Sequence, residues 1–121
     1  MPANPNVKEA FEAYLERHVA RDLEGVVSLF AADAVVEDPV GSPAHIGRAA
    51  IREFIRSAHQ RNGRLRVERI GPVVVCGREA AAHIRAAAEA TDFKLALDVL
   101  YTIALDDAGE IRSLRAFFEL R

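Results

Sequence analysis

From Phe93 to Leu105 every second residue is bulky and apolar: Phe93, Leu95, Leu97, Val99, Tyr101, Ile103 and Leu105. Lys94, Ala96, Asp98, Leu100, Thr102 and Ala104 fill the positions between them. Side chains alternate across a strand, so this run predicts one long strand with an apolar face and a mixed face. Such a strand cannot stand alone. It needs hydrogen-bonding neighbours at its edges and other elements over its apolar face.

The flanking sequence supplies both. Asp106-Asp107-Ala108-Gly109 reads as a hairpin turn, followed by a strand alternating Leu114, Ala116, Phe118 and Leu120 with Ser113, Arg115, Phe117 and Glu119. Upstream, Leu65 and Val67 alternate with arginines after Asn62-Gly63. Gly71-Pro72 is expected to break that run before Val73 to Val75 lead to a turn near Gly77.

The first half of the chain has helical spacing instead. Val7, Phe11, Tyr14 and Val19 form a stripe over 6–20, and Asp22 can cap a short helix with Leu23, Val26, Val27 and Phe30 inward. A third helix over about 48–60 carries Ile51, Phe54, Ile55 and Ala58 on one face. Between them, Val35 and Val36 lead into Glu37-Asp38-Pro39, where the proline biases Asp38 to extended geometry. Gly41, Pro43 and Gly47 mark a loop. The expected fold class is α+β: three N-terminal helices packed into a curved, mostly antiparallel sheet of about four long strands. At 121 residues, the expectation is one domain, 1–121.

Bulk properties narrow the function. Sixteen basic residues against 18 acidic ones, a net charge of -2, leave no electrostatic footprint for nucleic acid or an anionic membrane. The apolar stretches are too short to span a bilayer, and Met-Pro-Ala-Asn-Pro-Asn does not begin a signal peptide, so a cytoplasmic protein is expected. The lone cysteine, Cys76, forms no internal disulfide and lacks a histidine partner, which reads as structural. No phosphate loop or metal-ligand spacing occurs; neither cofactor nor metal is expected.

Three polar side chains stand out on apolar faces. Asp38 lies two residues after Val36 and so shares its face, where apolar surroundings would raise its pKa. Tyr14 lies on the first helical stripe, and Tyr101 stands between Val99 and Ile103. A buried base opposite neutral phenols suits proton abstraction beside a carbonyl, since the phenols can stabilise the enolate oxygen. Taken singly, an Asp before Pro is more often a turn residue, and a tyrosine on an amphipathic stripe is more often core. Spacing alone therefore leaves the enzyme and a plain fold equally open.

The stretch from Asp33 to Phe54, with Glu37-Asp38-Pro39-Val40-Gly41 at its centre and Tyr14 upstream, resembles the bacterial ketosteroid isomerases. The similarity extends to Arg21 through Phe30 and to Ala96 through Phe118, and is weakest over 56–92. The resemblance implies the cone-shaped α+β fold of the NTF2-like (SnoaL-like) superfamily. It also implies a steroid Δ-isomerase that moves the double bond of a Δ5-3-ketosteroid into conjugation. Asp38 then matches the proton-shuttling base, and Tyr14 the phenol that donates to the steroid's ketone oxygen. Phe54 and Phe118 match apolar positions near the steroid.

Two positions depart from the family pattern. Tyr101 stands where the best-known members carry a protonated aspartic acid as second donor. A phenol is neutral at pH 7 unaided. Asp98 lies three residues away and points from the opposite face. The longer phenol needs room, which Ala82, Ala86 and Ala88 on the facing strand could leave; Ala82, Ala86 and Val99 join the expected substrate contacts. Phe30 and Ile55 stand where some relatives carry tyrosines in a hydrogen-bonded chain.

Other readings remain open. The chain could bind hydrophobic ligands with little catalysis, or be another enzyme of the superfamily, such as a polyketide cyclase or epoxide hydrolase. Related epoxide hydrolases use Asp-Arg-Asp inside the cone, and no arginine falls clearly on an inner face here. A structural partner-binding domain would not need a buried Asp beside two phenols. His45 is expected in a loop near the cavity mouth, His59 at a helix end where the dipole favours it, and His83 and Arg85 outward. A homodimer through the outer sheet face, with Ala87, Leu100 and Phe117, is the expected assembly.

Overall fold

The computed structural model describes residues 6–90 and 93–119. Helix α1 (Val7–Val19) starts at Asn6, whose side chain accepts from the Glu9 amide, and buries Val7, Phe11, Tyr14 and His18. The fourth member of that stripe is therefore His18, not Val19, as the i, i+4, i+7, i+11 spacing of a 3.6-residue turn requires. Helix α2 (Leu23–Val27) begins at Asp22, whose carboxylate caps the Gly25 amide. It ends before Phe30, which opens strand β1 (Phe30–Glu37) rather than extending the helix. Strand β2 (His45–Ile46) and helix α3 (Arg48–Asn62) follow. Two strands thus separate the third helix from the first two, unlike the expected order of helices first. The β-branched pair Val35-Val36 favours extended backbone at that point.

Strands β3 (Arg64–Cys76), β4 (Glu79–Ala90), β5 (Phe93–Leu105) and β6 (Ile111–Phe117) complete one six-stranded mixed sheet in the order β2-β1-β6-β5-β4-β3. Every neighbouring pair is antiparallel except β1 and β6, which run parallel. Gly71-Pro72 does not end β3. The ladder with β4 shifts register between Ile70 and Val74 and continues, with Gly71 at φ +84° absorbing the irregularity. The β5–β6 turn is closed by Asp106, whose Oδ1 accepts from the Ala108 and Glu110 amides.

The alternation in β5 sorts as the pattern demands. Val99, Ile103 and Leu105 are buried with Ile84, Leu114, Phe11, Ile51 and Ile55 between sheet and helices, while Leu100 points outward. The side chains of Phe93 and Leu95, and all of Leu120, lie outside the described residues. No helix among the described residues is long and apolar enough to cross a membrane.

Candidate active site

The helices do not fill the whole inner face of the sheet. A cavity of about 260 Å³ remains, walled by Leu15, Phe54, Ala58, Leu65, Val67, Ala86, Ala88, Leu97 and Phe118, with Pro39 at its edge. Five polar side chains open into this apolar space: Asp38, Tyr101, His18, Arg61 and Asn62.

Asp38 follows directly on β1, carried there by strand pairing that sets Val36 beside Leu114 and Glu37 beside Arg115 of β6. Val36 is buried in the core. No described residue donates a hydrogen bond to the Asp38 carboxylate, although its neighbour Glu37 is paired with Arg115. Loss of water disfavours the charged form, and the Asp38 pKa is pushed up to about 6; the Arg61 guanidinium pulls weakly the other way. A carboxylate of that pKa is ionised at neutral pH yet basic enough to take a proton from carbon.

Tyr101 faces the same space. It sits between alanines on both sides, opposite Ala82 of β4 and Ala116 of β6, so the small neighbours leave room for its ring. Tyr14 lies behind it, 1% exposed, with ring centroids 6.0 Å apart. A side-chain hydrogen bond couples the Tyr14 and Tyr101 hydroxyls. Burial and the nearby Asp38 charge raise both phenol pKa values, so both stay protonated. The two expected oxyanion donors are therefore in series: Tyr101 meets the cavity and Tyr14 supports it. The Tyr14 edge packs against Phe30, at 6.1 Å between centroids, rather than against a third hydroxyl.

The remaining expected residues divide. Phe54, Ala86 and Phe118 line the cavity with Asp38 and Tyr101. Ala82 and Val99 do not; both are buried in packing beside it. Asp98 is on the outer face, bonded to His83 and Arg85. His45 lies in β2 and stacks on Phe54, 4.3 Å between centroids, so it backs a cavity wall rather than entering. His59 is buried against His18 with a lowered pKa, which replaces the expected helix-dipole role of a charged ring. Cys76 is exposed.

The sequence reading missed His18 and Arg61. His18 is one turn beyond Tyr14 on the same stripe, a signal that was present. Arg61 gave none: it closes α3 at the cavity, where only the helix's exact end decides its direction.

Comparison with known proteins identifies the family. The chain is 32% identical over 116 residues to the steroid Delta-isomerase of Nocardioides simplex, covering 93% of this chain and 89% of that protein. It is 41% identical over 69 residues to epoxide hydrolase LasB of Streptomyces lasalocidi, covering 53% of this chain and 24% of that protein. The chain thus matches about a quarter of the length of that hydrolase. Among solved structures, the epoxide hydrolase/cyclase-like enzyme SalBIII of salinomycin pyran-ring formation superposes with a TM-score of 0.84. Identity there is 25%, over 94% of this chain and 91% of that one. These relatives are named as enzymes, and the SnoaL-like domain profile matches residues 11–114 of this chain. With most of its length inside that match, the chain belongs to the SnoaL-like (NTF2-like) domain family.

Proposed function

We propose that this chain is a cofactor-independent steroid Δ-isomerase. The observation that carries the reading is the Asp38 carboxylate, without a hydrogen-bond donor among the described residues and with its pKa pushed up to about 6, sharing an apolar cavity with the Tyr101 phenol. In the proposed cycle Asp38 takes the C4 proton of a Δ5-3-ketosteroid, and the electrons pass to the ketone oxygen as a dienolate. Tyr101, held by Tyr14, donates to that oxygen. The proton then returns from Asp38 to C6, which regenerates the carboxylate and leaves the conjugated enone. The cavity, about 260 Å³ and mostly apolar, lies just under the roughly 300–1,000 Å³ usual for small-molecule pockets.

Turnover is followed by the ultraviolet absorbance of the enone. Its pH dependence tests the base directly. Only ionised Asp38 accepts the proton, so kcat/KM is expected to rise about tenfold per pH unit up to a bend near 6, then level. A flat profile between about pH 4 and 8 would remove Asp38 from the role.

One observation favours a second reading, an epoxide hydrolase or cyclase: Arg61 lines the cavity that holds Asp38. Against it, Asp38 is the cavity's single carboxyl among the described residues, so no Asp-Arg-Asp set is formed. Epoxide opening without any enone formation would favour this alternative.

We also propose that two copies pair through the outer sheet face. Leu100 and Phe117 are register partners there and are 45% and 37% exposed. Sedimentation is expected to give a dimer at micromolar concentration; a monomer rejects it. Leu100→Lys should shift the equilibrium towards monomer.

A further inference from the structure

The proposed chemistry uses Asp38, Tyr101 and Tyr14, and leaves one buried polar group in the cavity wall without a task. His18 is 9% exposed and lines the cavity. Its Nδ1 lies 3.0 Å from His59 Nε2, with ring centroids 4.8 Å apart, and its other face stacks on Tyr14 at 5.6 Å. Its Nε2 has no hydrogen-bond partner among the described residues. That nitrogen is not sealed away either, since no fully buried side-chain nitrogen or oxygen among them lacks a partner. The ring lines the cavity, and Nε2 is the nitrogen it has left to offer what enters there.

A ring packed against Tyr14 and His59 in the wall of an apolar cavity, with one nitrogen unpartnered among the described residues, is placed to meet a ligand atom. Burial and the adjacent His59 lower its pKa to about 4, so at neutral pH it is an uncharged imidazole. It therefore selects a neutral polar group rather than an anion. The ketone is assigned to Tyr101 on β5, which leaves His18 on α1 to meet a different atom of the same ligand.

We propose that His18 is a specificity-determining residue whose Nε2 hydrogen-bonds a hydroxyl group on the ring system of the ligand, separate from the ketone that enolises. A hydroxyl both donates and accepts, so it satisfies Nε2 in either tautomer. The proposal rests on the steroid isomerase reading and adds its substrate class: hydroxylated ketosteroids over their deoxy analogues. A site that hydrogen-bonds a substrate hydroxyl discriminates against the analogue lacking it, because its own polar atom is then buried unpaired.

Calorimetric binding of progesterone and a panel of its monohydroxylated derivatives tests this without turnover, since the enone is already formed. At least one derivative is expected to bind about tenfold more tightly than progesterone. That advantage should vanish in His18→Phe, which keeps a ring against Tyr14, and return in part in His18→Gln. The wild-type protein supplies an independent readout: the ¹⁵N resonance of His18 Nε2 should shift with the preferred derivative and not with progesterone. If His18→Phe does not fold, that resonance decides. An Nε2 signal blind to the hydroxyl, or equal loss of both ligands in His18→Phe, overturns the proposal and leaves the isomerase reading intact. A wild-type protein that binds no member of the panel overturns both.

Discussion

With Asp38 replaced by asparagine, enone formation is expected to fall by about 10²–10⁴-fold, the range for loss of a positioned general base. The amide keeps the carboxyl's shape and cannot accept the proton. Steroid affinity should persist or improve, since the substitution removes a charge that has no hydrogen-bond donor among the described residues. Activity within about tenfold of wild type, a barrier change near 1.4 kcal/mol, would reject the assignment. The same variant should be more stable above pH 6. The folded carboxyl titrates near 6, above its ordinary value, so the native state holds the proton more tightly than the unfolded chain. Its contribution to stability is greatest at low pH and is lost as pH rises through about 6. Asparagine escapes that loss, about 3 kcal/mol for a shift from 3.8 to about 6. Thermal unfolding of both proteins at pH 4 and 8 reads it.

Removal of the Tyr101 hydroxyl is expected to have the next largest effect. Tyr101→Phe keeps the ring between Ala82 and Ala116 and deletes only the donor that faces the cavity. A single such donor accounts for about 10²-fold or more in turnover. Tyr14→Phe should cost less, because Tyr14 acts on the ligand through Tyr101, yet it also removes the hydroxyl to which Tyr101 is coupled. Asp98→Asn, on the outer face, should change turnover little. The order of these variants decides the arrangement. A larger loss in Tyr14→Phe than in Tyr101→Phe would mean that Tyr101 swings aside when ligand enters. A large loss in Asp98→Asn with a silent Tyr101→Phe would move the second donor to Asp98.

Periodicity made most of this fold legible. The period-two run in β5 and the helical stripes of α1 and α3 bury the residues their spacing demands, because burial follows the backbone's own repeat. Phe30 falls to the strand because β1 begins three residues past the end of a short helix, where the same apolar residue fits either period. The parallel pairing of β1 with β6 was not legible, since no local signal records a partner some 80 positions away. Within the site, Asp38 and Tyr101 could be read as a group, but their order with Tyr14 could not. Which phenol faces the cavity depends on how deeply α1 settles on the sheet, and that is set by packing. His18 could have been found from the same stripe that exposed Tyr14.

The pairing of β1 with β6 also sets when the site can exist. Val36, two residues before the proposed base, has Leu114 as its neighbour, and every residue between them is synthesised before the two strands can meet. A nascent chain that stops short of Ile111 carries Asp38 on a strand whose long edge is open to water, where its carboxyl would titrate as an ordinary aspartate. Contacts this distant in sequence form late and slowly. The raised pKa of Asp38 is therefore expected to depend on the pairing of β1 with β6, and its titration would report whether those two strands have come together.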